Sequence, residues 1–411
     1  MIIKELSQNE FEEFTSKYPF SSIYQTVEYS KIMQREEYST IYVGGIEEGN
    51  IVAASLILIT KIKGFSYAYA PRGFLIDYTN EKLLTNFTLE IKKFLSKKDV
   101  VAIKLCPIII KNLFNSSGKV VGNNNMFDNV FENLKKLDYY HYGFNSYFEA
   151  DKPRFEALLD LSIPYPKLFD NIKKEFKVKI RNSEIKGIKI YRADINEIGY
   201  IYSQMKNKNK KTMAFIENSF KEYNLTGKLD YYYAKLETEV YLKYIKNCFE
   251  EQDQLVSNIN RSVLSKSDSS EKMLNKKIEA DKKYAVLKEQ LIEATNLIRE
   301  YPTGLVLSTI VVVKHRNEAV VYLDTYDTEY KNFSSKHILM WKIIEKYSSL
   351  GYKRLNLGGV TDPRISNEKY DGLNKFKLNF NASILEYIGD LELVTNKPKY
   401  FLYTQLARNK K

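Results

Sequence analysis

"GLVLSTIVVVKHRNEAVVYLDTYD", residues 304–327, decides the architecture. Two runs rich in Val, Ile and Leu flank Arg316-Asn317-Glu318, a polar turn, and predict a long β-hairpin. Downstream, "SKHILMWKIIEKYSSLGYKRLNLGGV" (335–360) predicts a helix stopped by Gly351 and then a strand. The same succession stands earlier in the chain. "STIYVGGIEEGNIVAASLILIT" (39–60) is a hairpin turning at Glu-Glu-Gly-Asn, and "FSYAYAPRGFLIDY" (65–78) is a strand leaving into a Pro/Gly loop. "NEKLLTNFTLEIKKFLSKK" (80–98) is an amphipathic helix, and "VVAIKLCP" (100–107) is a strand stopped by Pro107. A hairpin–helix–strand order that appears twice predicts an α/β (α+β) protein with two mixed-sheet domains and an internal duplication.

Between these units the pattern changes. From 237 to 300 there is neither Pro nor Gly. Apolar positions recur by threes and fours through Leu242, Ile245, Phe249, Val256, Ile259 and Val263. After "SKSDSS" they resume at Met273, Ala280, Tyr284, Leu287, Leu291, Ala294 and Ile298. This heptad seam on two helices of matched length predicts an antiparallel coiled-coil hairpin projecting about 40 Å. The expected boundaries are 1–155 for the first domain, 156–236 with 301–411 for the second, and 237–300 for the inserted arm. Of the shorter elements, Ser7 is placed to cap a helix, "VFENLKKLDYYHYG" (130–143) reads as a helix ending near Gly143, and residues 167–186 read as one helix stopped at Gly187.

The 411 residues carry 63 Lys/Arg against 51 Asp/Glu, a formal charge of +12, which favours polyanionic partners. The arm has 11 Lys/Arg and 12 Asp/Glu, so the excess belongs to the body. Residues 167–211 alone hold 13 Lys/Arg against 5 Asp/Glu, including "EFKVKIRNSEIKGIKIYR" (175–192). A solvated helix face would account for this, and so would a phosphate-bearing ligand. Cys106 and Cys248 are the only cysteines and the three histidines are scattered, which disfavours a disulfide framework or a zinc site. The N-terminus lacks the pattern of a signal peptide, and the apolar runs are about half the length of a membrane span. A reduced, cytoplasmic protein is expected. No nucleotide-loop, nucleophile-elbow or metalloprotease motif occurs, and neither cysteine has a neighbouring histidine. An enzyme with this inventory would transfer an acyl group directly between two bound substrates, positioning an amine and stabilising the oxyanion.

Four segments carry a resemblance. "YAPRGFLIDY", "FKVKIRNSEIKGIKI", the 330–360 helix–strand unit ending in "LNLGGV", and "GLNKFKLNF…EYIGDLELV" (372–394) are together similar to the Fem family of peptidoglycan-bridge aminoacyltransferases. The resemblance covers essentially the whole chain. It implies two GNAT-like acyltransferase domains and transfer of an amino acid from aminoacyl-tRNA to the side-chain amine of a stem peptide, on a lipid-linked or UDP-linked muropeptide precursor. No cofactor is implied beyond aminoacyl-tRNA as co-substrate. Peripheral contact with the inner membrane face and a homo- or hetero-dimer with a sister enzyme are further expectations. Lys377 matches the family's lysine near the reacting ester, and Tyr326 is placed with it as a catalytic candidate. Substrate-binding roles are implied for Lys31, Arg72, Gly73, Lys104, Lys208, Lys210 and Lys375. Two positions depart from the family pattern: Cys106 and Asn356 stand where an Asp is usual, so the general base stays unassigned. A CoA-dependent N-acyltransferase would want a pyrophosphate loop that the sequence lacks. A non-enzymatic RNA- or partner-binding protein would want basic faces on the arm.

Overall fold

The hairpin at 304–327 forms as the sequence predicts, and the strands around it build two sheets. The computed structural model describes residues 1–205, 209–264, 270–366 and 368–408. In chain order the strands are β1 (Ile2–Glu5), β2 (Ser39–Glu47), β3 (Asn50–Ile62), β4 (Phe65–Ala70), β5 (Val100–Leu105), β6 (Ile110–Phe114), β7 (Val120–Asn123) and β8 (Tyr139–His141). They continue as β9 (Phe155–Asp160), β10 (Ile188–Arg192), β11 (Leu229–Leu236), β12 (Leu305–His315), β13 (Glu318–Tyr326), β14 (Arg354–Val360), β15 (Ser383–Tyr387) and β16 (Leu391–Val394).

The first sheet runs β1-β2-β3-β4-β5-β16-β8 and the second β10-β11-β12-β13-β14-β9-β15-β6-β7. Both share one plan: four antiparallel strands, then a parallel pair (β4/β5 and β13/β14), then antiparallel strands again. The sheets trade strands, however. β16, from the C-terminal part of the chain, pairs with β5 in the first sheet, with Leu391 opposite Leu105. β6 and β7 extend the second sheet beyond β15. Neither the boundary at 155 nor the assignment of 301–411 wholly to the second unit therefore follows the sheets. Each exchanged strand covers an edge that would otherwise present unpaired backbone, and hydropathy patterns do not record which edge a strand will seek.

Local chemistry explains the helices. Ser7 and Glu10 form a reciprocal capping box that starts the helix Gln8–Lys17. Two expectations are corrected. The helix expected to end near Gly143 stops at Lys136, because Asp138 takes a left-handed backbone (φ 67°) and the following tyrosines enter β8. The single helix expected before Gly187 is two, Tyr165–Asn171 and Lys174–Ile185, broken where extended Ile172 buries its side chain in the core.

The helices Thr238–Leu264 and Glu271–Glu300 pack along each other. Ile245, Ile259, Ala280, Leu287 and Ala294 are buried on the predicted seam, and Phe249 meets Tyr284 at 5.0 Å between ring centroids. Gln252, the polar interruption, donates to the Ala280 carbonyl at 3.0 Å. At the base, Tyr241, Ile245, Ala294 and Leu297 join the core of the second sheet, which anchors the arm. No helix among the described residues is long and apolar enough to cross a membrane.

The two halves meet through apolar and charged contacts. Ile23 and Ile32 pack with Ile216, Phe220 and Tyr223. Arg35 pairs with Glu222 at 2.6 Å, and Lys228 with Glu28 at 2.6 Å. Deeper, Arg72 from the loop after β4 pairs with Glu156 of β9 at 2.6 Å; Arg72 is 3% exposed. The other Glu156 oxygen accepts from Asn356 Nδ2 (3.1 Å) and the Tyr387 hydroxyl (3.2 Å). Removing one partner of a buried ion pair leaves the other charge uncompensated, which costs about 3–5 kcal/mol. Arg72→Met is therefore expected to lower stability by about that amount, measured as the shift in urea midpoint. A loss below about 1 kcal/mol, the range of an exposed pair, would show that this pair does not tie the halves together.

Candidate active site

The parallel pairing of β13 with β14 is short. Glu318, Ala319 and Val320 lie opposite Arg354, Leu355 and Asn356, and beyond that register the strands part. β14 turns toward β9 instead, with a register shift between Asn356 and Gly359. Gly358 has φ 80°, a backbone that favours glycine. Lys377, from the helix Glu368–Leu378, fills the gap and donates from Nζ to the Gly359 carbonyl at 2.7 Å. A Cβ on Gly358 would stand 3.5 Å from that nitrogen. Burial pushes the Lys377 ammonium down to about 8, with Lys336 adding to the effect and Asp324 and Glu156 opposing it. Lys377 is thus protonated at neutral pH, yet poorly solvated. It is an ammonium suited to meeting charge that develops on a substrate oxygen.

On one side of Lys377 lies a cavity of about 510 Å³. Lys179, Lys331, Lys336, Lys375 and Tyr326 line it, with Glu175 the sole acidic residue of its wall among the described residues. Lys336 pairs with Asp324 of β13 and lies over the rings of Tyr326 (5.2 Å) and Phe376 (4.5 Å). His337, also in the wall, is pushed down to about 4 by burial and is neutral. On the other side a smaller cavity of about 130 Å³ opens between the halves, bordered by Tyr24, Arg72, Pro153, Glu156, Gly358 and Gly359.

The candidates from sequence separate into three groups. Tyr326 and Lys375 line the larger cavity, Tyr326 being 40% exposed at the end of β13, while Lys377 reaches the Gly359 carbonyl. Lys31 and Lys210 are exposed, on the packed helices Val27–Arg35 and Lys210–Leu225. Lys208 lies outside the described residues.

Arg72, Gly73 and Lys104 are committed internally. Arg72 was expected to hold a carboxylate or phosphate of a substrate, and it holds Glu156. Burial alone would lower its basicity, but Glu156 more than reverses this. Gly73 is wedged against the interior, where a Cβ would come within 2.7 Å of Ser55 Oγ. Lys104 pairs with Asp151 (2.6 Å) and Asp390 (2.9 Å), which outweigh its burial and raise its pKa.

Asp324 and Lys336 were not singled out from sequence. Asp324 shares a strand face with Tyr326, two positions away, and that spacing was the available signal. Asn356, at one of the unusual positions, donates to both Glu156 and Glu318 (3.2 Å), a task an aspartate could not perform. Cys106 is buried, its thiol pKa raised by burial, beside the Tyr69 hydroxyl at 3.3 Å.

Parted parallel strands, a half-buried ammonium at the gap and a cationic cavity beside it make up the candidate site. The FemAB family model matches residues 6–408, and the chain belongs to this family. Aminoacyltransferase FemA of Staphylococcus aureus strain bovine RF122 / ET3-1 is 27% identical over 418 residues, covering 98% of each chain. The strain MRSA252 protein of the same name is also 27% identical over 98% of each chain. The crystal structure of FemX superposes with a TM-score of 0.73 at 18% identity, covering 98% of this chain and 99% of that one. The chain is accordingly an aminoacyltransferase.

The depressed Lys377 value has a consequence for stability. Between about pH 8 and the ordinary lysine value of 10.5 the unfolded chain binds more protons than the folded one, so stability rises with pH across that window. Lys377→Met removes this contribution. The stability difference between variant and wild type should move in the variant's favour as pH falls from 10.5 to 8, then stay level. Urea titrations at stepped pH measure it, and parallel profiles for the two proteins would place the Lys377 ammonium in water.

Proposed function

We propose that this chain moves an amino acid from aminoacyl-tRNA to the side-chain amine of the stem peptide in a peptidoglycan precursor, as a step of interpeptide-bridge synthesis. The observation that carries the reading is Lys377 at the parting of β13 and β14, beside a cavity walled by four lysines. The acceptor amine attacks the ester carbonyl carbon, the bond to the ribose oxygen breaks, and the proton that the amine gives up passes to that oxygen, leaving a free ribose hydroxyl and a new amide. Negative charge appears first on the carbonyl oxygen and then on the departing ribose oxygen, and the Lys377 ammonium meets it.

The lysine-walled cavity suits the phosphates at the aminoacylated end of the donor. Lys179 belongs to the basic helix Lys174–Ile185, so the positive track continues from the cavity along the protein surface. That track answers the basic stretch in the sequence with phosphate as its partner. The acceptor, lipid-linked or UDP-linked, enters from the opposite side, with the enzyme at the inner face of the membrane. The arm, near neutral in charge, is a secondary contact at most.

Charged tRNA, a UDP-linked muropeptide and labelled amino acid test the reaction, with labelled acetyl-CoA run in parallel. Label should enter the peptide from tRNA and not from acetyl-CoA; the reverse outcome would replace this reading with a CoA-dependent one. Lys377→Met should cut turnover by a factor of about 100 or more while leaving muropeptide affinity in place. Each of Lys179→Ala and Lys375→Ala should flatten the dependence of log tRNA affinity on log salt by about 0.7–0.9. An unaltered slope in both would move the phosphates elsewhere.

A further inference from the structure

Lys152 belongs to no motif, and its setting is unusual. Its Nζ lies 3.7 Å from the ring centroid of Tyr24 and 5.6 Å from that of Tyr29, and the two rings meet edge to face at 5.2 Å. Ring faces attract an ammonium without using its N–H donors. No carboxylate or carbonyl among the described residues takes those donors. The charged groups nearby are already engaged: Arg72 with Glu156 at 2.6 Å, and Asp151 with Lys104 at 2.6 Å. Cys106 supplies no compensating charge, because burial keeps its thiol protonated. Burial also holds Lys152 down to about 8, as expected of a cation without an anionic partner.

Position gives this cation a use. Tyr24 and Pro153, the residue next to Lys152, border the smaller cavity, and Gly358 and Gly359 border it too. Pro153 abuts Gly359, where a Cβ would come within 2.7 Å of its ring, and the Gly359 carbonyl is the one that takes Lys377. The residues that border the chamber thus join two half-buried lysines: Gly359 takes Lys377 and Tyr24 takes Lys152. Lys152 is half-buried, and no protein group among the described residues takes its N–H donors, so an acceptor entering the chamber can take them.

We infer that Lys152 is the acceptor-side anchor of the transfer site: caged by Tyr24 and Tyr29, it binds an anionic oxygen, carboxylate or phosphate, of the amine-bearing substrate. This rests on the reaction proposed above and makes Lys152 a substrate-positioning group and not the oxyanion donor.

The test is steady-state transfer with UDP-linked muropeptide as the varied substrate. Lys152→Met should raise KM for the muropeptide about tenfold or more with kcat changed less than about threefold, while Lys152→Arg keeps most of the affinity. Tyr24→Leu should raise KM in the same way and Tyr24→Phe should not. Two further acceptors locate the anion, one lacking the diphosphate and one with its peptide carboxylates amidated. The sensitivity to Lys152→Met should vanish with whichever has lost the bound group. An unchanged KM in folded Lys152→Met, a fall in kcat alone, or sensitivity that survives with both acceptors overturns the inference. If Lys152→Met does not fold, Lys152→Arg and the Tyr24 pair decide it. If wild type transfers nothing, the proposed reaction fails, and calorimetric binding of the same muropeptide to wild type and Lys152→Met still decides the role of Lys152.

Discussion

The carboxylate of Glu156 is the point on which the rest of this structure leans. It sits on β9, in the second sheet, and receives Arg72 from the first sheet's loop, Asn356 from β14 and Tyr387 from β15. A buried carboxylate whose two oxygens both accept hydrogen bonds fixes geometry in a way that apolar packing does not. Asn356 is held by Glu156 and Glu318, and its own oxygen accepts from the Gly358 amide at 2.8 Å. The backbone at the parting of β13 and β14 is thereby set by the Glu156 carboxylate. Lys377 then has a defined carbonyl to grip, and the chamber between the halves has defined walls.

The two sheets share a plan and differ at the place that matters. In the first, β4 and β5 remain paired to the end, with Ala70 opposite Leu105. In the second, the equivalent strands separate after three residues and Lys377 occupies the gap. A closed pair satisfies its own backbone; an open pair offers groups to a ligand or a side chain. The candidate site therefore lies at the second sheet. Tyr24 and Tyr29, in and just before the helix Val27–Arg35, hold Lys152 on their rings.

Much of this was legible in the sequence. Long alternations such as 39–60 and 304–327 announced hairpins because both faces of the central strands are buried, which leaves runs of Val, Ile and Leu. The two long helices Thr238–Leu264 and Glu271–Glu300 were legible because apolar residues recur by threes and fours over many turns. Lys377 was found through a resemblance, not through any local pattern. Arg72 was misjudged in its partner because a buried and a ligand-facing arginine have the same neighbours in a Pro-Arg-Gly loop. Lys336, Asp324 and Lys152 were missed because each owes its role to residues far away in the chain. The exchange of strands was invisible for the same reason: β6 and β16 look like ordinary strands of the segments they come from.

That exchange bears on how the protein comes into being. β5 waits for β16, and β16 leaves the ribosome only after all the strands from β6 to β15. Until residue 394 has emerged, the nascent N-terminal half carries an unpaired hydrophobic edge at Val100–Leu105, a template for pairing with other chains. Completion of the first sheet thus follows the synthesis of β9 to β15, strands of the second sheet that lie between β5 and β16 in the chain.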